Sequence, residues 1–107
     1  MSSEFSNHLT PAEVERLAVI IEECGEVIQA ATKVLRHGYE FHHPETGVPN
    51  RAALRREIID LLAVLSIASR FGDHQIIVDE EIDDVIDRKQ RWLHYNRIVR
   101  TGGDGDE

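Results

Sequence analysis

The chain is short of most features that narrow a protein's class at sight. Its 107 residues include one cysteine, Cys24, so no internal disulfide can form and a reducing, cytoplasmic setting is expected. Three prolines and seven glycines are too few for a Pro-rich spacer or a flexible linker, and nothing recurs at solenoid periods. No apolar run approaches the roughly 20 residues of a membrane-spanning helix, and mean hydropathy is negative. The stretch Met1-Ser2-Ser3-Glu4-Phe5 has neither the basic region nor the apolar run of a secretory leader. Bases are scarce too: 12 Lys and Arg stand against 20 Asp and Glu, a formal charge of −8. A nucleic-acid binder would show the opposite balance, so neither nucleic acid nor membrane is an expected partner. An anionic small molecule stays open if metal ions neutralise some of the carboxylates.

What is present is helical periodicity, enough for one domain over residues 1–100. The glycine-rich, acidic stretch 101–107 reads as a disordered tail. Thr10 suits an N-cap, Pro11 the first helical position, and Glu13 completes a capping box. Leu17, Ile20, Ile21, Cys24, Val27, Ile28, Ala31, Val34 and Leu35 then recur at helical spacing, and Gly38 suits the stop. Residues 38–50 read as a loop, with Asn50 able to cap a second helix. Leu54, Ile58, Leu61, Leu62, Leu65 and Ala68 form the second stripe, which Gly72 ends. A third helix is predicted from near Asp79 to about Val99, with Ile82, Val85, Ile86, Lys89, Trp92 and Leu93 on its inner side. No turn-linked strand pair is visible. The expected fold is therefore all-α: a long antiparallel helix hairpin plus a third helix. Three such helices make a thin core, which predicts a bundle completed by another subunit.

The informative residues are acids on the wrong side of these helices. At roughly 100° per residue, Glu23 shares a ridge with Val19 and Val27, and Glu26 follows one turn on. Glu57 lies among Leu54, Leu61 and Val64, and Asp60 among Val64, Ile67 and Phe71. Burying an unpaired carboxylate costs several kcal/mol. The i+4 positions of Glu57 and Asp60 are Leu61 and Val64, so neither has a base there. A hard divalent cation, Mg²⁺ or Mn²⁺, would satisfy such oxygens. Glu23-x-x-Glu26 facing Glu57-x-x-Asp60 across a hairpin would bring four carboxylates around a small volume. Either pair alone is commonly a solvated face; two pairs bordering apolar ridges on consecutive helices are less ordinary.

Glu22-Glu23-Cys24-Gly25-Glu26, followed by Glu57-Ile58-Ile59-Asp60, resembles the EExxE…ExxD signature of the MazG-like all-α nucleoside triphosphate pyrophosphohydrolases. The resemblance covers about residues 10–95. It implies a Mg²⁺- or Mn²⁺-dependent hydrolase, with two or more ions when substrate is bound. The reaction would convert a (d)NTP to the monophosphate plus pyrophosphate. By motif position Glu23, Glu26, Glu57 and Asp60 would be metal ligands, and Glu22 would hold a further ion or orient the attacking water, with Glu23. Lys33 and Arg36 lie further along the same side of the first helix as Glu26 and suit phosphate contacts. Asp87-Arg88-Lys89 resembles the family's late Asn/Asp-x-Lys element, which would make Lys89 a phosphate contact and Asp87 an extra ligand. The arginines that often follow that element are displaced here, to Arg91 and then Trp92. Trp92 and Asn50 are the candidate base contacts. Small chains of this kind resemble the phage-encoded MazZ subgroup, which implies a purine deoxynucleotide such as dGTP and a homo-oligomer, dimer or tetramer.

Two rivals compete. A di-iron carboxylate bundle needs two Glu-x-x-His motifs on helices; this chain has one, Glu40-Phe41-His42-His43, in a proline-bounded loop. In a non-catalytic helical interaction module, the acids would serve only as interfacial ion pairs.

Overall fold

The computed structural model describes residues 6–98, and among these it holds three helices and no strand. They are α1 (Pro11–His37), α2 (Asn50–Arg70) and α3 (Asp79–Gln90). No helix among the described residues is long and apolar enough to cross a membrane.

The first helix begins and ends on local chemistry. Thr10 Oγ1 accepts the Glu13 N–H at 3.1 Å, and Glu13 Oε1 accepts the Thr10 N–H at 2.8 Å, which satisfies two otherwise orphaned donors. Pro11 costs nothing in the first turn because its missing N–H would have had no partner there. At the far end Gly38 adopts φ +91°, a conformation that a side chain would strain, and its N–H returns to the Val34 carbonyl at 2.7 Å.

The second helix departs from expectation at its start. Pro49 holds the cap position and Asn50 is the first helical residue. Asn50 is buried, and its Nδ2 donates to the Gly38 carbonyl at 3.0 Å and to the Lys33 carbonyl at 3.5 Å. Its amide therefore fastens the start of α2 to carbonyls at the end of α1 and just beyond it instead of capping its own helix. The C-terminus follows the expected glycine stop. Gly72 has φ +86°, Asp73 N–H reaches the Ala68 carbonyl and Gly72 N–H the Ser69 carbonyl, each at 2.9 Å. This is a Schellman closure.

A second fastening lies at the opposite end of the pair. Arg16 of α1 donates from Nε to Asp73 Oδ2 at 2.6 Å and from its terminal nitrogen to Oδ1 at 2.8 Å. The same guanidinium lies 4.6 Å from the centre of the Phe71 ring. Contacts at both ends make the helices antiparallel. Along their seam Val19, Ile20, Val27, Leu54, Leu61 and Val64 are half-buried, while Ala30 and Ala68 are buried. Small side chains at those two points let the helix axes approach closely.

His74 closes this region. Its Nε2 faces the Leu65 carbonyl at 2.9 Å and its Nδ1 the Gln75 carbonyl at 3.0 Å. Only the imidazolium donates from both nitrogens, so these carbonyls, Leu65 first, raise the His74 pKa.

The residues group into two compact units, Met1–Gln75 and Ile76–Glu107. The first is the α1–α2 hairpin with its loop; the second contains α3. α3 ends at Gln90, short of Val99. The N–H groups of Arg91, Trp92 and Leu93 each reach back three residues, to Arg88, Lys89 and Gln90, a tightening that ends the helix. Aromatic Trp92 and Tyr95 have modest helix propensity, and Trp92 is 85% exposed, not on an inner side. Within this unit Ile82, Val85, Ile86 and Leu93 border an apolar groove of about 490 Å³, along which Lys89 extends. The predicted tail, 101–107, lies outside the described residues.

Two outcomes check this packing. Ala68 is 0% exposed, so Ala68→Leu overpacks the seam and should cost about 1–3 kcal/mol, read from the urea midpoint. The guanidinium of Arg16 holds the Asp73 carboxyl below its ordinary range, chiefly by hydrogen bonding. A depressed carboxyl stabilises the fold above its unfolded pKa and stops doing so as pH falls through its folded value. Asp73→Asn should therefore lower the melting temperature at neutral pH, and the two curves should converge in strong acid.

Candidate metal centre

The antiparallel register sets Glu23, midway along α1, opposite the middle of α2. Glu57 and Asp60, one turn apart on α2, project toward it. One carboxylate oxygen from each of Glu23, Glu57 and Asp60 lies within 4.8 Å of the other two. Glu23 and Glu57 are half-buried, while Asp60 is exposed at the edge of the seam. Its exposure corrects part of the helical-wheel argument. Ile67 and Phe71, which share its side of α2, are themselves exposed, so Asp60 does not interrupt a buried face in this chain.

Among the described residues no Lys or Arg forms an ion pair with this trio. Among the described residues the ion pairs are Arg16–Asp73 and Arg51–Glu40, both away from it. The electrostatic result is visible at Glu23, whose pKa is raised, first by desolvation and then by the charges of Asp60, Glu22, Glu57 and Glu26. Three carboxylate oxygens converge as hard donors of the kind a metal ion takes.

Glu26 stands one turn from Glu23 and is half-buried, but it is outside the converging trio. It is near enough to add to the repulsion on Glu23. Glu22 is exposed and acts on Glu23 in the same way. Cys24 is exposed and belongs to no ligand group of three among the described residues. Lys33, Arg36 and Asn50 come together in a separate cleft beside the loop, joined by Arg56 of α2. Arg56 could have been found only by following the loop back over α2. Asn50 is committed to backbone carbonyls rather than presented as a base reader. Lys89, Asp87 and Trp92 belong to the second unit. No family model, no curated protein and no solved structure matches the chain.

The raised pKa of Glu23 fixes a sign. A carboxyl whose folded pKa exceeds its unfolded value favours folding when protonated and loses that contribution as pH rises through the folded value. In EDTA, Glu23→Gln should therefore raise the melting temperature at neutral pH, and the gain should shrink as acid protonates the wild-type side chain. Added Mn²⁺ should raise the melting temperature of the wild type with the logarithm of its concentration and leave that of Glu23→Gln much less changed.

Proposed function

We propose that this chain is a metal-dependent nucleoside triphosphate pyrophosphohydrolase, cleaving between the α and β phosphates to release a monophosphate and pyrophosphate. The observation that carries the reading is the convergence of Glu23, Glu57 and Asp60, half-buried or at a seam edge, with no Lys or Arg ion-paired to them among the described residues. The EExxE…ExxD pattern resembles that of the MazG-like enzymes and supplies the reaction; the donor chemistry supplies the metal class.

In this reading Glu23, Glu57 and Asp60 hold Mg²⁺ or Mn²⁺, and Glu26 completes the set from one turn away. A bound ion supplies charge neutralisation at the phosphates and a lower pKa for the attacking water. The chain's part is positional. Two helices hold the carboxylates in register, so little reorganisation accompanies loading. Glu22, exposed beside Glu23, orients water for attack at the α phosphorus, and the α–β bridging oxygen leaves with the pyrophosphate. No side-chain nucleophile is needed. Lys89, Asp87 and Trp92, to which the resemblance also gives phosphate, metal and base roles, lie in the second unit, where the Trp92 indole is exposed. A purine deoxynucleotide, dGTP, is the substrate to test first.

A homo-oligomer, dimer or tetramer, belongs to the same proposal. Ile21, Ile28 and Leu35 form an exposed stripe along α1, Leu35 at 86% exposure, and a second copy would cover it. That stripe also favours the rival reading, a non-catalytic helical interaction module. The di-iron reading loses support, because the trio contains no histidine and Glu40 is paired with Arg51 at 2.8 Å.

Incubation with each (d)NTP and Mg²⁺ or Mn²⁺, with products resolved, tests the proposal. Monophosphate with pyrophosphate is expected; diphosphate with orthophosphate, or no turnover with any metal, overturns it. Glu57→Gln and Asp60→Asn should each reduce turnover by at least about a hundredfold with helix content retained.

A further inference from the structure

A concavity on the hairpin is lined by charge opposite to that of the trio. Where α1 ends, the loop turns back and α2 begins, a cleft of about 560 Å³ opens. That volume falls within the roughly 300–1,000 Å³ of small-molecule sites. Lys33 and Arg36 enter it from α1, His43 from the loop and Arg56 from α2, while Glu45 is the one acid among its lining residues.

Three observations separate this cleft from an ordinary solvated surface. First, none of Lys33, Arg36 and Arg56 has a carboxylate within 4.0 Å among the described residues, in a chain with 20 acids and 12 bases. Second, the α1 dipole accounts for Arg36 and His37 at its negative end, but not for Arg56. Arg56 lies in the second turn of α2, nearer that helix's positive end, so two helices bring like charge to one volume and the dipole accounts for only one of them. Third, the cleft is held in shape. Asn50 ties α2 to Gly38 and Lys33, Asn50 N–H reaches the Phe41 carbonyl at 2.9 Å, and Arg51 N–H the Tyr39 carbonyl at 2.9 Å. Such rigidity lowers the ordering cost of taking up a ligand.

We propose that this cleft is a metal-independent binding site for a polyphosphate anion, with Lys33, Arg36 and Arg56 as its donors. The proposal goes beyond the hydrolysis reading, because it needs neither an ion nor any member of the Glu23–Glu57–Asp60 trio. The polyphosphate is either a free ligand or the far end of a triphosphate held at the trio. Glu26 and Lys33 are seven residues apart on α1, about 10 Å along the helix axis.

The test is calorimetric titration of the full-length protein with inorganic tripolyphosphate in EDTA at low salt. Saturable binding that weakens as salt rises is expected. Lys33→Gln and Arg56→Gln should each weaken it by about tenfold or more. Arg56→Lys, which keeps the charge, should retain most of the affinity, and Glu57→Gln should leave it unchanged. Absence of saturable binding overturns the proposal. So does an unmoved Kd in a Lys33→Gln/Arg56→Gln variant whose circular dichroism is intact, or loss of binding in Glu57→Gln. A second titration, with Mg²⁺ and a nucleoside triphosphate carrying a methylene bridge between its α and β phosphates, distinguishes the sources. Competition with tripolyphosphate identifies the tail of the substrate and simultaneous binding a separate ligand; either supports the cleft. Because the first titration contains no free divalent ion, its result stands whether or not the chain hydrolyses triphosphates.

Discussion

The register of α1 against α2 governs everything else described in the first unit. Two polar fastenings set it. At one end the buried Asn50 amide grips carbonyls at the end of α1 and just beyond it; at the other, Arg16 forms a two-point pair with Asp73 just beyond α2. Apolar packing alone would hold the helices together but would discriminate weakly between neighbouring registers. Hydrogen bonds with fixed directions do discriminate, since a slip of one turn would leave the Asn50 amide buried without acceptors. Glu23 meets Glu57 and Asp60 because both ends are fastened in this way.

That register brings like charges together, which no fold does without a cost elsewhere. The repulsion is concentrated on Glu23, which is both partly desolvated and surrounded by four other acids. The hairpin tolerates it because stabilising contacts sit apart from it, in the capping box of Thr10, the Schellman closure at Gly72 and the ends already described. This locally unfavourable cluster, embedded in otherwise consistent local structure, is where the proposed function places its metal. The same hairpin carries a cationic cleft toward its loop end. Unlike charges are thus segregated along one pair of helices although the chain as a whole is acidic.

The chain alone buries little. Only Ala30, Ala68 and Asn50 are buried among the described residues, and long aliphatic side chains on both hairpin helices face outward. Helical periodicity finds an apolar stripe without saying what covers it. For that reason the stripe over Leu17 to Leu35 is legible in the sequence, whereas its exposure along Ile21, Ile28 and Leu35 is not.

The sequence by itself determined what short-range chemistry decides: helix class, the start at Thr10–Pro11, the stops at Gly38 and Gly72, the loop between, and the i, i+3 spacing of Glu57 and Asp60. These depend on groups within a turn or two of each other, so they can be read along the chain. Tertiary structure decided the rest. It drew Glu23, but not Glu26, into the trio, left Asp60 at the seam edge, turned Asn50 from a cap into a fastening, and gathered Arg56 with Lys33 and Arg36. Each of those outcomes depends on residues ten or more positions away, brought near by packing, and a helical wheel carries no information about what stands opposite it.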